Sequence, residues 1–140
     1  MSNNLRFKTS KFIDETYRVS FKFNNKTYFG FKGDTLASAL LANGIHLVGR
    51  SFKYHRPRGI MTSGSEEPNA IIQLHDNSSR TEPNVRATEV EIYEGLVASS
   101  QNCWPSVNFD IGGINNLLSP ILPAGFYYKT FMWPASFWEK

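Results

Sequence analysis

Apolar and polar residues alternate along two neighbouring stretches near the start of the chain. Tyr17–Phe23 reads YRVSFKF, with an apolar side chain at every second position, which predicts a half-buried strand. The Asn-Asn pair that follows predicts a turn, because asparagine tolerates a positive φ. Thr27–Phe31 then returns as a second strand, and we expect Phe29 and Phe31 on its core face.

Helical spacing replaces the alternation after Asp34. The leucines and alanine at positions 36, 39 and 40 share one face of a helix. Asp34 or Thr35 can cap its first turn, because either side-chain oxygen accepts a free amide hydrogen. Gly44 stands where a left-handed helix end is expected. The pattern therefore predicts a hairpin followed by a helix that packs on it.

Two more strands are predicted further along the chain. Ala70–Leu74 is a short apolar run, and Thr88–Tyr93 alternates again. A turn and a polar link over residues 78–84 separate them. Hairpin, helix, loop and two strands in this order predict an α+β fold, a mixed sheet with one helix across one face.

A long irregular segment, Gly49–Asn69, lies between the helix and the third strand. Its glycines and prolines exclude a long helix or a central strand, and irregular segments of this length are often functional. A solvated basic loop and a single-stranded nucleic-acid site are alternative interpretations of this segment. The nucleic-acid site is disfavoured, because the basic residues are few and the acidic Glu66-Glu67 pair follows them closely. We expect the Glu66-Glu67 carboxylates to pair with the arginines of the same loop. We interpret its basic and aromatic residues as interface candidates: Arg50, Phe52, Lys53, Tyr54, His55, Arg56 and Arg58.

The last third of the chain is aromatic and nearly uncharged. Only Asp110 and Lys129 carry charge between residues 95 and 138. So much apolar surface is not expected to stay exposed, so we expect residues 120–140 to be an interface. The final residues show no stop pattern, as expected of a truncated fragment. The interface candidates here are Phe126, Tyr127, Tyr128, Phe131, Trp133, Phe137 and Trp138.

Composition narrows the class of protein. The 140 residues are 41% hydrophobic, with a net charge of +3, which indicates a globular chain and does not point to nucleic acid. The single cysteine, Cys103, excludes an internal disulfide and favours the cytoplasm. We find no signal-peptide or membrane-spanning pattern, no phosphate-binding glycine motif, no metal-site spacing and no catalytic constellation. Alone, the chain is predicted to be non-catalytic, with no metal and no membrane or nucleic-acid partner.

Three long phrases resemble a known family. LASALLANGIHLVGRSFKYHRPRGIMTSGSEEPNA, EPNVRATEVEIYEGLVASSQNCWPS and LLSPILPAGFYYKTFMWPASFWEK are similar to the N-terminal segment of the α subunit of heterotetrameric sarcosine oxidase. That segment is similar to the β-grasp domain of plant-type 2Fe-2S ferredoxins. The sequence alone predicts an irregular N-terminal arm at 1–16. The resemblance implies a β-grasp domain at 17–95 and an irregular extension at 96–140 that leads towards a nucleotide-binding domain.

The same resemblance raises the question of an iron–sulfur cluster. Small iron–sulfur subunits of amine and hydroxyproline dehydrogenases carry C-x4-C-x2-C after the PRG sequence, and a fourth cysteine later. Carried onto this chain, the four positions are Thr62, Glu67, Ala70 and Thr88. Cluster ligation needs thiolates, so we expect no cluster here. An electron-transfer 2Fe-2S subunit is the alternative function, and the missing cysteines disfavour it.

The function that the resemblance implies belongs to a complex. The family demethylates sarcosine oxidatively to glycine, forms hydrogen peroxide and passes the one-carbon unit to tetrahydrofolate. Its complex carries FAD, FMN and NAD. We expect none of these cofactors on this segment, whose implied role is assembly with the remainder of the α subunit and the other subunits.

Overall fold

A computed structural model describes residue 6 and residues 12–76 and 80–118 of the chain. The candidates between Phe126 and Trp138 lie outside this part. The elements are, in order, β1 Asp14–Phe23, β2 Lys26–Lys32, α1 Leu36–Ala42, β3 Gly49–Arg50, β4 Pro57–Arg58, β5 Ile71–His75, β6 Thr81–Arg86, β7 Leu96–Ser100, a 3-10 turn Ile111–Gly113 and α2 Ile114–Leu117.

The first hairpin forms as predicted, but its second strand presents the opposite face. Both turn asparagines have positive φ, 50° and 63°, which a two-residue hairpin turn requires. The turn pairs Phe21 with Tyr28 and Val19 with Gly30, and residues directly opposite each other share a face. Tyr28 and Gly30 therefore face the core.

The prediction that Phe29 and Phe31 lie on the core face is wrong. Phe29 is 39% exposed, and the Arg18 guanidinium carbon stands 3.9 Å from its ring centre. The core face needs a glycine at position 30, because a Cβ there would lie 2.4 Å from Cδ1 of Ile92. Apolar side chains alone therefore did not identify the buried face of β2.

Helix α1 follows its predicted pattern. Thr35 is the N-cap, and its hydroxyl accepts the amide hydrogen of Ser38 at 3.2 Å. Leu36, Ala39 and Leu40 are fully buried. Gly44 ends the segment with φ of 76°, a conformation that favours glycine.

The main sheet has five strands in the order β2-β1-β7-β5-β6. β7 is the middle strand, parallel to β1 and antiparallel to β5. The mixed sheet with one buried helix against it is the predicted α+β, β-grasp architecture. The core combines both layers: Val19, Phe21, Phe23, Leu36, Leu40, Val48, Ile72, Ile92, Leu96 and Ala98.

Two strand predictions in the second half are wrong. The predicted polar link over residues 78–84 contains the start of β6, an exposed strand that tolerates Pro83 because it lies at the sheet edge. Thr88–Tyr93 is not a strand but a connecting segment with one bridge from Glu91 to Thr35. Its Ile92 is buried all the same and accounts for the apolar pattern. The predicted β-grasp domain ends at residue 95, whereas the central strand β7 starts at Leu96.

A buried carboxylate joins the chain before β1 to the end of β2. Asp34 is fully buried, and the Arg6 guanidinium donates to both of its oxygens, at 2.8 and 2.6 Å. The Phe31 amide and the Ser38 hydroxyl donate to the same carboxylate at 2.9 and 2.8 Å. Residue 6, placed in the irregular arm by sequence, is thus held by an ion pair.

Over the described ranges, the helices are all too short to cross a bilayer.

Candidate functional site

Loop 61–70 closes around the carboxylate of Glu67. This side chain is 1% exposed. Oε2 accepts the amide hydrogens of Met61 and Thr62 at 2.8 and 2.6 Å, and Oε1 accepts those of Asn69 and Ala70 at 2.8 and 3.1 Å. The sequence interpretation that Glu67 pairs with the loop arginines is wrong, because its carboxylate partners in the described structure are backbone amides and the Thr62 hydroxyl.

The local electrostatics favour the charged form of Glu67. Burial by itself raises the pKa of this carboxyl, but the four backbone hydrogen bonds outweigh burial and lower the pKa from 4.5 to about 2. Hydrogen bonds from N–H groups stabilise a carboxylate and not a carboxylic acid. Glu67 is therefore an anion held inside the loop.

This arrangement predicts acid lability. Because the folded-state pKa lies below the unfolded one, the stabilisation is present above pH 4.5 and is lost as the pH falls towards 2. Between pH 7 and pH 3, wild type should lose roughly 1–3 kcal/mol more unfolding free energy than Glu67→Gln. Urea titrations at both pH values measure the difference. Equal losses in the two proteins would contradict the assignment.

Three of the four positions that the resemblance assigns to cluster ligands lie in this loop, and the fourth, Thr88, contacts the loop from the segment after β6. Thr62 and Ala70 both donate backbone amides to Glu67, and the Thr62 hydroxyl is 3.3 Å from Oε2. Thr88 donates its hydroxyl to the Gly64 carbonyl at 2.8 Å. None of the four residues is a cysteine, so none of them supplies a thiolate. The inward-pointing backbone amides of the loop donate their hydrogen bonds to the Glu67 carboxylate. The residues present therefore do not fit a 2Fe-2S cluster.

The basic segment forms a second group, organised by Asp110. Strands β3 and β4 make a small hairpin, residues 49–58, which we call the basic hairpin. The Asp110 side chain is fully buried; its Oδ2 lies 2.8 Å from Nδ1 of His55 and 3.8 Å from Nε of Arg50. Its Oδ1 accepts the amide hydrogens of Trp104 and Gly112. Asp110 thus joins the basic hairpin to the segment after β7.

The surroundings of Asp110, like those of Glu67, lower the pKa of the carboxyl and so favour its charged form. Burial raises the pKa of the Asp110 carboxyl, while the Trp104 amide and His55 lower it more, so the net shift is downward. Arg50 donates to the carbonyls of Val107 and His55 at 2.8–3.0 Å. These bonds direct its guanidinium inward, which does not suit binding to nucleic-acid phosphates.

The other candidates of the basic hairpin are distributed differently. Phe52 is 70% exposed. Tyr54 stacks with Arg56 and Lys53, whose charged groups lie 4.7 and 5.2 Å from its ring centre. Arg58 donates to the side chain of Asn69 and so links the hairpin to the Glu67 loop. The hairpin presents one exposed ring and a stacked cationic cluster.

Large exposed apolar side chains occur at Phe52 and again in the segment after β7. Trp104 and Phe109 are 68% and 69% exposed, and Leu117 is 78% exposed. We use the name apolar surface for the exposed residues after β7, which are Trp104, Phe109, Ile111, Ile114 and Leu117. The Asp110 carboxylate holds the backbone of Trp104 by accepting its amide hydrogen at 2.9 Å. In the sequence, Asp110 stands out only as a rare charged residue in an apolar stretch. This isolation was the one signal that could have marked it as a buried, functional carboxylate.

Cys103 and the histidines are not grouped as a metal site in the described ranges. Burial raises the pKa of the Cys103 thiol, and the nearby Asp110 charge raises it further, so the thiol is a poor nucleophile at neutral pH. His46 and Cys103 line a cavity of about 640 Å³ together with Lys26. Within the described residues, no three of His, Cys, Asp and Glu are grouped as a metal site requires.

The chain is similar to known sarcosine oxidase α subunits. The chain is 63% identical over 128 residues to sarcosine oxidase subunit alpha of Rhizobium meliloti (strain 1021), over 91% of this chain and 13% of the relative. It is 45% identical over 71 residues to the same subunit of Corynebacterium sp. (strain U-96), over 49% and 7%. The chain therefore spans only about an eighth of the first of these relatives.

Structure and family comparisons agree on the fold. The crystal structure of L-proline dehydrogenase from P. horikoshii matches with a TM-score of 0.52 at 22% identity, over 66% of this chain and 17% of that one. The family model described as a 2Fe-2S iron-sulfur cluster binding domain matches residues 16–103. The chain thus belongs to the 2Fe-2S iron-sulfur cluster binding domain family, as a member in which the four ligand positions carry no cysteine.

Proposed function

We propose that this chain is the N-terminal structural and assembly domain of a sarcosine oxidase α subunit. The observation that carries the proposal is the 63% identity over 128 residues to the R. meliloti subunit. The complex would demethylate sarcosine to glycine, transfer the one-carbon unit to tetrahydrofolate and form hydrogen peroxide. FAD, FMN and NAD would be bound elsewhere in it, and this segment would be non-catalytic alone.

The alternative, an electron-transfer subunit, is less well supported. Electron transfer through this fold needs a cluster, and a cluster needs thiolate ligands. The chain has one cysteine, and it lies in the loop after β7 and not in the Glu67 loop. The identity to oxidase α subunits favours the assembly role for the same chain.

The proposed assembly face combines the basic hairpin and the apolar surface. Exposed Phe52, Trp104 and Phe109 together offer hundreds of Å², because each large ring buries roughly 150–250 Å² when covered. Exposed apolar area of this order is often functional. The proposed occupant is the remainder of the α subunit, since the relatives are much longer than this chain. We propose that residues 120–140 also contact the remainder of the α subunit or another subunit of the complex.

The domain boundaries are proposed anew from the strand positions. The β-grasp domain would run to the end of β7 at Ser100, because Leu96 and Ala98 belong to the core. The extension would start after it, and the arm would precede β1. A cytoplasmic location stays a prediction, supported by the single cysteine.

A chimeric subunit tests this function. The chain replaces the matching segment of the R. meliloti α subunit, which is coexpressed with the other subunits of the complex. We expect a copurifying complex with sarcosine-dependent peroxide formation, and no turnover by the isolated chain. Sarcosine turnover by the isolated chain, or a folded chimera that does not copurify with the other subunits, would refute the proposal.

Paired variants of the chimera test the assembly face. Trp104→Ala with Phe109→Ala should weaken docking of this domain on the remainder of the chimeric α subunit, so that limited proteolysis separates the two about tenfold faster if roughly 1.4 kcal/mol of contact is lost. Tyr17→Ala with Tyr93→Ala removes two rings that are each 58% exposed elsewhere and is the matched control. If the control pair weakened docking and the first pair did not, the face would be misplaced.

A further inference from the structure

We infer that the Glu67 carboxylate takes the structural place of the cluster in this member of the iron–sulfur family. Loop 61–70 would then fold around an anion that belongs to the chain, and iron would have no part in it. The inference concerns the loop alone and does not rest on the sarcosine oxidase proposal.

The backbone geometry of the loop calls for an anion. Four N–H groups, from Met61, Thr62, Asn69 and Ala70, converge on the two Glu67 oxygens within 2.6–3.1 Å. Hydrogen bonds to the sulfurs are also part of how proteins hold iron–sulfur clusters. Without an acceptor, buried N–H groups would each cost free energy. The carboxylate supplies that acceptor.

Each of the four ligand positions has acquired a role in hydrogen bonding. Glu67 accepts, Thr62 and Ala70 donate their amides to it, and Thr62 adds a hydroxyl at 3.3 Å. Thr88 binds the Gly64 carbonyl and so attaches the loop to the segment after β6. The substitutions are therefore mutually consistent: the residues that would ligate iron instead close the loop on themselves.

Charge compensation at the site is also local. The ion pairs of the described residues do not include the Glu67 carboxylate. Arg86 approaches the residue from the other side and donates to its backbone carbonyl at 3.2 Å. The negative charge is thus stabilised by N–H dipoles, as the low pKa of the carboxyl also indicates.

Amide hydrogen exchange measured residue by residue tests the inference on the 140-residue chain. Glu67→Gln keeps the side-chain shape but removes the charge and turns an NH2 group towards amide donors. The four loop amides should exchange about tenfold faster or more, because hydrogen bonds to a charged acceptor are lost. The amides of Leu36 and Ala37, bonded to Val90 and Ala87 carbonyls, should keep their protection.

Glu66→Gln is the matched control, because Glu66 is exposed and adjacent. It should leave all of these exchange rates unchanged. Unchanged loop exchange in Glu67→Gln, or equal acceleration in both variants, would overturn the inference. If Glu67→Gln does not fold, wild type decides: on acidification towards pH 2 the four loop amides should lose protection before Leu36 and Ala37, and simultaneous loss would overturn it.

Iron reconstitution of the wild-type chain gives an independent readout. Incubation with ferrous iron and sulfide under anaerobic conditions, followed by desalting, should leave no stoichiometric iron and no visible charge-transfer absorbance. Loop-amide protection should be the same before and after the treatment. Stoichiometric retention of iron and sulfide would overturn the inference directly.

Discussion

Replacing Asp34 with alanine is expected to lower the free energy of unfolding by about 3–5 kcal/mol, the usual cost of removing one partner from a buried ion pair. The Asp34 side chain is fully buried, and the Arg6 side chain is 11% exposed. The substitution leaves this guanidinium without its counter-charge. It also removes the acceptor of the Phe31 amide and the Ser38 hydroxyl. Urea unfolding at neutral pH measures the loss.

The matched control for Asp34 is an exposed carboxylate on the same sheet. Glu82 lies in edge strand β6 and is exposed, so Glu82→Ala should cost under about 0.5 kcal/mol. If the two substitutions shifted the unfolding midpoint equally, Asp34 would not be the buried anchor described here. A further expectation is that Arg6, released from Asp34, becomes accessible to guanidinium-modifying reagents in the variant.

The elements that sequence predicted well are those with a strong period. Tyr17–Phe23 lies within β1, and the helix spacing at 36, 39 and 40 marks the buried face of α1. Both elements are buried on one side only, so the pattern of apolar residues records their orientation. The fold class followed from their order.

The missed elements lack such a pattern for physical reasons. β6 is an exposed edge strand, so its sequence TEPNVR carries no apolar alternation. β7 reads LVASS, and one of its two buried residues is the small Ala98, so the strand shows no strong apolar alternation. Ile92 made a connecting segment look like a strand, because a residue outside the strands that packs over Gly30 of β2 can also be buried. Local pattern could not separate these cases.

The candidate site was predictable in position but not in chemistry. Resemblance identified Thr62, Glu67, Ala70 and Thr88 as ligand positions without thiolates. It did not indicate that Glu67 binds four amides, because backbone N–H groups leave no trace in residue type. Likewise, the bond from Asp110 to His55 spans 55 positions of sequence and depends on the tertiary fold.

Two single variants, Phe21→Ala and Phe29→Ala, test the register that the hairpin turn imposes on β1 and β2. Phe21 is 1% exposed and packs against Tyr28, with ring centres 6.0 Å apart, so its truncation should cost about 3–5 kcal/mol. Phe29 points to the other face, so its truncation should cost under about 1 kcal/mol, mainly the contact with Arg18. Urea unfolding of both variants measures the contrast. Because a shift of one residue would exchange the two faces of β2, similar losses in the two variants would contradict the pairing of Phe21 with Tyr28, and a larger loss for Phe29 would restore the face that the apolar pattern alone predicts.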